Sequence, residues 1–213
     1  MTRPRVGILA LQGDVREHAA ALTALGADVS LVRRESELAG VDALVLPGGE
    51  SSVIDKLTRT FGLRAPLRAA ISGGLPVFGT CAGLVLLADR LANGIEGQLT
   101  LGGLDVTVRR NAFGRQGESF ETELAVPALQ PPTASVAFIR APVVENLGPG
   151  VSALATLPDG RVVAVEQGNL LGTAFHPELT GDRRFHQRFL ETVTGRPAAA
   201  GSARAALSPA AGS

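Results

Sequence analysis

Apolar positions fall into two regimes along the chain. Up to Leu91, short runs of Val, Leu and Ile alternate with stretches where apolar residues recur every three or four positions. "RVGILAL" has no polar interruption and is expected as a strand buried on both faces. "DVREHAAALTAL" follows, with Val15, Ala19, Leu22 and Leu25 at helical spacing and Asp14 placed as the N-cap. "DVSLV" and "DALVLPGG" read as the next strands, the latter ending in a glycine turn, and "VIDKLTRTFG" and "APLRAAISGG" read as helices. "LPVFGT" is a further strand, and a helix is expected from Ala82 to Leu91. This alternation predicts a parallel sheet covered by helices on both faces.

Beyond Leu91 the helical period gives way to strand-like runs. "LDVTVRRN", "SFETELAV", "ASVAFIRA", "SALATL", "RVVAVEQGN" and "LLGTAFHPE" read as strands with turns between them. They suit an antiparallel extension at the sheet edge, with the last run returning to the main sheet. "DRRFHQRFLETVT" closes the fold as a helix with Phe185, Phe189 and Val193 on one stripe. From Gly195 the chain has the Pro/Ala/Gly/Ser composition of a disordered tail. The expected class is therefore α/β, a doubly wound, mostly parallel sheet flanked by helices, with an antiparallel strand extension. One domain is expected over 1–194 and a tail over 195–213.

Composition narrows the function. A chain of 213 residues with 45% hydrophobic content suffices for one well-buried domain. Its 20 acidic residues cancel its 20 basic ones, so neither nucleic acid nor a membrane surface is an expected partner. All the basic residues but Lys56 are arginine, which reads as composition bias rather than function. The single cysteine rules out an intrachain disulfide and suits a reducing compartment. No signal-peptide pattern opens the chain, and no window approaches the roughly 18 apolar residues that span a bilayer. A cytoplasmic protein is expected.

In a doubly wound sheet, ligands bind beyond the carboxyl ends of the strands. "LQGD", "PGGESS" and "GTCAG" all fall at such ends and can line one crevice. Cys81 sits between Gly79 and Gly83 where a buried strand turns into a helix, a G-x-C-x-G parallel to the strained G-x-S-x-G nucleophile elbow. Free N–H groups at a helix start favour a thiolate. A buried, inert thiol remains the bland alternative. A nucleophile needs a base, and the base needs an orienting group. Of the three histidines, His18 lies in a helix running away from the carboxyl edge and His186 lies in the last helix beside basic residues. His176 ends a strand with Glu178 two residues on, and positions i and i+2 of an extended chain face the same side. Pro177 keeps the intervening backbone extended. Backbone N–H groups of the Gly48–Gly49 turn and of Ala82 are candidate oxyanion donors. No Cys/His cluster suggests a metal, and no cofactor is expected.

On "GILALQGDVREH", "LPGGESS", "FGTCAG", "RNAFGRQGESFE", "FIRAP" and "GTAFHPELTGDRRFH", the chain resembles the class I glutamine amidotransferases, and among them the glutaminase subunits of pyridoxal 5'-phosphate synthases. The resemblance implies a Cys81–His176–Glu178 triad, with Gly48, Gly49, Glu50, Ser51, Arg110, Ile139 and Arg140 at the glutamine site. Arg110 and Arg140 suit the substrate α-carboxylate and Glu50 its α-ammonium. Ser52 stands where that family usually has threonine. The resemblance further implies hydrolysis of L-glutamine through a γ-glutamyl thioester, and a (β/α)8-barrel synthase partner that consumes the ammonia. Docking is expected around Gln12 and the segment from Asn111 to Gln116, with synthase raising activity by ordering the donors near Gly48 and Gly49. Two rivals stand beside this reading: an elbow-cysteine hydrolase or peptidase of related fold, and a non-catalytic regulatory subunit.

Overall fold

A computed structural model describes residues 3–113 and 120–195. The first half alternates as its apolar pattern predicts. β1 (Arg5–Leu9), β2 (Asp28–Val32), β3 (Ala43–Leu46) and β4 (Val77–Thr80) are joined by α1 (Val15–Ala24), a short α2 (Glu35–Leu38), α3 (Ser51–Thr60) and α4 (Arg64–Ser72). β3 and β4 are buried at every position, as strands covered on both faces must be. β1 pairs in parallel with β2 and with β3, and β3 in parallel with β4.

The elbow helix departs from expectation. α5 spans only Ala82–Leu87, and β5 (Ala88–Ala92) continues directly from it. Ala82 to Leu87 are buried on all sides, whereas Asp89 and Arg90 reach solvent. There the Asp89 carboxylate accepts from Gly103 N at 2.7 Å and Arg90 Nε donates to Thr107 Oγ1 at 2.9 Å. These bonds and the parallel ladder to β6 (Leu104–Arg109) outweigh one further helical turn. β7 (Phe120–Ala125), β8 (Thr133–Phe138), β9 (Val143–Leu147), β10 (Ser152–Thr156), β11 (Val162–Gln167), β12 (Leu170–Thr173) and α6 (Arg184–Thr194) complete the described chain. β9 and α2 have no counterpart in the apolar reading.

The main sheet runs β2-β1-β3-β4-β12-β11-β9-β6-β5, with β10 paired to β11. β12 returns to lie parallel to β4, and β11 and β9 build the expected antiparallel extension. β7 and β8 do not join that edge; they form a separate hairpin. An edge-to-face chain of aromatic rings, Phe138 to Phe175 to Phe185, pins this hairpin to the core beneath α6. Phe185 and Phe189 are fully buried as their stripe predicts, and Gly195 ends α6 in a left-handed conformation, φ 64°. The expected tail lies outside the described residues from 196 on. Among the described residues, no helix is long and apolar enough to cross a membrane.

Candidate active site

Four neighbouring parallel strands, β1, β3, β4 and β12, end at the same edge of the sheet, and each delivers part of one cleft. β4 ends at Thr80, and Cys81 turns the chain into α5 with φ 47° and ψ −101°, a backbone conformation costly for any residue with a Cβ. The turn is held because Cys81 N donates to Thr173 O of β12 at 2.8 Å and Val85 N donates to Cys81 O at 3.2 Å. Glycine is obligatory on both sides. A Cβ on Gly83 would lie 1.9 Å from Leu46 O, and one on Gly79 would lie 2.6 Å from the backbone of Gly83. Cys81 is 7% exposed, and Sγ donates to Ile139 O at 3.9 Å. Ile139 follows β8, so the hairpin supplies one wall of the site.

His176 stands three residues past the end of β12 rather than at it. His176 N donates to Ala137 O of β8 at 2.9 Å, which anchors the loop to the hairpin. Its Nδ1 lies 2.8 Å from Glu178 Oε1, as expected, but the route is different. Leu179 N donates back to His176 O at 3.3 Å, so His176 to Leu179 form a turn with Pro177 at its second position, where proline is favoured. The carboxylate folds back under the imidazole instead of standing alongside it on an extended strand.

A second carboxylate, foreseen only as a helix cap, also reaches this histidine. Asp14 makes no side-chain capping bond, and its Oδ2 lies 3.1 Å from His176 Nδ1. Burial opposes the charged imidazole, but hydrogen bonds with Asp14, Cys81 and Glu178 prevail and the pKa of His176 is pushed up to about 12. Burial likewise opposes the Glu178 carboxylate, yet His18 and His176 together hold its pKa well below the usual range. Site geometry therefore favours a protonated imidazole beside the sulfur, the state a cysteine nucleophile requires. Asp14, His176 and Glu178 have donor atoms within 4.8 Å of one another, a grouping that can hold a cation in principle. A shared Nδ1 proton already accounts for that approach.

The residues expected at the glutamine site gather around the same cleft. Gly49, Glu50, Ser51, Ala82, Arg110, Ile139 and Arg140 line an open cleft of about 220 Å³ with Cys81 and His176. Arg110 Nη2 lies 2.6 Å from Glu50 Oε1, and its Nη1 donates to Gln98 Oε1 at 2.7 Å. Ser52 Oγ donates to the same Glu50 oxygen at 3.0 Å, so a serine hydroxyl suffices at this position. Arg110 is mostly buried, its side chain 11% exposed, whereas Arg140 is exposed and has φ 46°. Gly48 does not line the cleft but backs it, for a Cβ there would lie 2.3 Å from His176 Cε1. Gln12 Oε1 accepts from Glu50 N at 2.8 Å, and Asp14 N donates to Gly48 O at 3.1 Å, so the loop after β1 braces the loop after β3. Of the expected docking segment, Asn111 borders the cleft, and residues 114–116 lie outside the described residues.

His18 and His186 were set aside as bases, and neither touches Cys81. Both nevertheless belong to the site. They are fully buried directly behind Glu178, with His18 Nε2 3.4 Å from Glu178 Oε1. The signal for them is faint: His186 stands three residues before Phe189 on the buried face of α6, and His18 stands beside Ala19 at the margin of the α1 stripe.

A cysteine on a strained elbow after a central parallel strand lies here with a histidine–carboxylate pair from beyond the adjacent strand, in an α/β protein whose cleft opens at that sheet edge. Comparison with known proteins narrows this. Residues 8–195 match the SNO glutamine amidotransferase family, and the chain belongs to that family. It is 67% identical over 193 residues to the pyridoxal 5'-phosphate synthase subunit PdxT of Leifsonia xyli subsp. xyli, covering 91% of this chain and 98% of that protein. It is 62% identical over 190 residues to the protein of the same description from Clavibacter michiganensis subsp. michiganensis, covering 89% and 91%. A crystal structure of a glutamine amidotransferase superposes with a TM-score of 0.82 at 49% identity, covering 89% of this chain and 98% of that one.

Proposed function

We propose that this chain is the glutaminase subunit of a pyridoxal 5'-phosphate synthase and that Cys81, His176 and Glu178 are its triad. The observation that carries the assignment is the hydrogen-bonded His176–Glu178 pair at 2.8 Å beside a cysteine held at φ 47°. Cys81 Sγ attacks the side-chain amide carbon of L-glutamine, and backbone N–H groups of Gly49 and Ala82 receive the developing oxyanion. Collapse of the tetrahedral intermediate breaks the C–N bond, and His176 gives its proton to the departing ammonia. His176, now neutral, takes a proton from a water that attacks the γ-glutamyl thioester, and L-glutamate leaves as the thiol is restored. Glu178 keeps the imidazole oriented and stabilises its charge throughout.

At the other end of the cleft, the Glu50–Arg110 pair presents opposite charges side by side, the pattern that complements an amino-acid zwitterion. The α-ammonium meets Glu50, and the α-carboxylate meets Arg110 and Arg140. Ser51 and Ile139 complete the pocket wall, in which Gly48 gives the loop its close approach to His176.

The product ammonia passes to a separate (β/α)8-barrel synthase subunit. Gln12 and Asp14 hold the Gly48–Gly49 loop, so a synthase bound over Gln12 acts directly on the oxyanion donors. Residues 1–194 form the amidotransferase domain in this reading, the remainder is a dispensable tail, and the single free cysteine fits a cytoplasmic setting. Steady-state glutamine hydrolysis, measured on the isolated chain and then titrated with synthase, tests the proposal. Activity should rise through the titration and vanish in Cys81→Ala. Activity that survives Cys81→Ala removes the nucleophile, and activity already maximal without synthase removes the activation step.

A further inference from the structure

Behind the triad, the structure buries two more histidines in a continuous chain of polar contacts. His18 comes from α1 and His186 from α6, both rings lie against Phe78 of β4, and both residues are fully buried. His18 Nδ1 lies 2.9 Å from His186 Nε2. His18 Nε2 lies 3.0 Å from Thr80 Oγ1, and Thr80 precedes the nucleophile in the chain. Both His18 Nε2 and Thr80 Oγ1 lie 3.4 Å from Glu178 Oε1. The Glu178 side chain is completely buried, and its Oε2 has no partner among the described residues. Every polar contact that holds the carboxylate therefore converges on Oε1, from His176 on one side and from His18 and Thr80 on the other.

Hydrogen-bond direction follows from this arrangement. An unprotonated His18 Nε2 would aim a lone pair at a buried carboxylate and compete with it for the Thr80 hydroxyl proton. A protonated Nε2 resolves both conflicts, since Thr80 Oγ1 then accepts from His18 and donates to Glu178. A second proton on His18 Nδ1 would make His186 Nε2 the acceptor and put the proton of His186 on Nδ1, a buried donor with no described partner, so His18 Nδ1 is the bare acceptor and His186 Nε2 supplies the proton between the two rings. His186 Nδ1 is left as an acceptor with no described partner. The partner on one imidazole nitrogen sets which nitrogen carries the proton on the other side. His186 is packed against Phe78 of β4, with ring centroids 5.5 Å apart, so its own orientation is fixed by the core.

We infer that His18 is a positioning residue for the triad, holding the Glu178 carboxylate through an Nε2–H whose tautomer is imposed by His186. Glu178 is carried on a turn, and a buried carboxylate anchored only by His176 could rotate away from it. A donor on its far side keeps Oε1 under His176 Nδ1 while the histidine gains and loses its proton. This inference rests on the triad reading, but it makes a claim about the resting protein that stands apart from turnover.

Two measurements test it. The chain holds three histidines, so 15N-detected imidazole spectra of the labelled full-length protein can be assigned ring by ring. The expected result is a proton on Nε2 of His18 and none on Nδ1; a bare Nε2, or a proton on both nitrogens, overturns the inference whatever the enzyme does. The second is glutamine hydrolysis by His18→Leu and His18→Gln in complex with synthase. By analogy with the outer partners of metal ligands, losing a group that orients the Glu178 carboxylate should cost on the order of 10- to 100-fold. A fall in kcat of that size is expected in His18→Leu, with KM for glutamine unchanged and most of the rate recovered in His18→Gln, whose amide can replace the Nε2–H. A folded His18→Leu variant with wild-type kcat, or a loss that His18→Gln does not recover, overturns it. If wild-type hydrolysis persists in Cys81→Ala, the triad reading has failed instead, and the tautomer measurement still stands on its own.

Discussion

Glu178 carries its charge where no water reaches, beneath an imidazole it must serve. Its carboxylate is held well below the ordinary pKa range despite burial, by His18 and His176, and its bond to His176 adds to those of Asp14 and Cys81 in raising the pKa of that histidine. Replacing Glu178 by glutamine keeps the shape and removes the charge, and the amide N–H competes for the wrong side of the ring. By analogy with other triads, kcat should fall on the order of 10³- to 10⁴-fold. Single-turnover hydrolysis by Glu178→Gln measures this, and a rate within tenfold of wild type would take Glu178 out of the triad. Cys81 and His176 were legible from residue type and place, because strand ends in this fold are where ligands bind. His18 was not. The stripe Val15, Ala19, Leu22 and Leu25 gave α1 a plausible inner face without it, whereas the helix buries His18, Ala21 and Leu22 most deeply. An apolar stripe locates a helix face only to within a residue or so, and a polar residue at its margin is assigned outward by default.

The strand–elbow–helix unit works because two glycines occupy space that no side chain can share. Gly83→Ala would force its Cβ against the carbonyl of Leu46 in β3, and backbone there cannot yield without disturbing the sheet. The variant should lose about 1–3 kcal/mol or more of stability. Urea unfolding followed by circular dichroism checks this, and an unchanged midpoint would show that the elbow is looser than its contacts imply. At this scale the parallel half of the sheet was readable, since strands buried on both faces show as unbroken apolar runs. α5 and β5 were not separable, because "AGLVLLADRLA" suits either conformation and the choice lies in ladder bonds to residues well downstream. The His176–Glu178 pair is legible from its i, i+2 spacing, but a proline turn rather than alternation along a strand brings the two side chains together.

Across the whole molecule, the buried histidines tie stability to pH with opposite signs. Burial lowers the pKa of His186 from 6.5 to about 3. From pH 6.5 down to 3 the unfolded chain binds a proton there that the folded chain refuses, so stability falls as pH drops. For His176, raised from 6.5 to about 12, the stabilising contribution is complete below pH 6.5 and is lost as pH rises toward 12. Glu178 adds a further acid loss only below its ordinary value of 4.5. Between pH 6.5 and 4.5, His186 therefore dominates these three, with a slope of up to about 1.4 kcal/mol per pH unit. The melting temperature should decline over that interval in the wild type and stay nearly flat in His186→Leu; equal slopes in the two would contradict the buried neutral assignment. The central claim, that this molecule breaks glutamine down on one cysteine, is tested most directly by trapping the intermediate. The complex with synthase is mixed with glutamine, quenched in acid within a turnover, and digested for mass spectrometry. The account predicts a γ-glutamyl group on the peptide that contains Cys81, absent from Cys81→Ala, which also releases no ammonia. Ammonia release by Cys81→Ala, or an acyl group on any other residue, would contradict it.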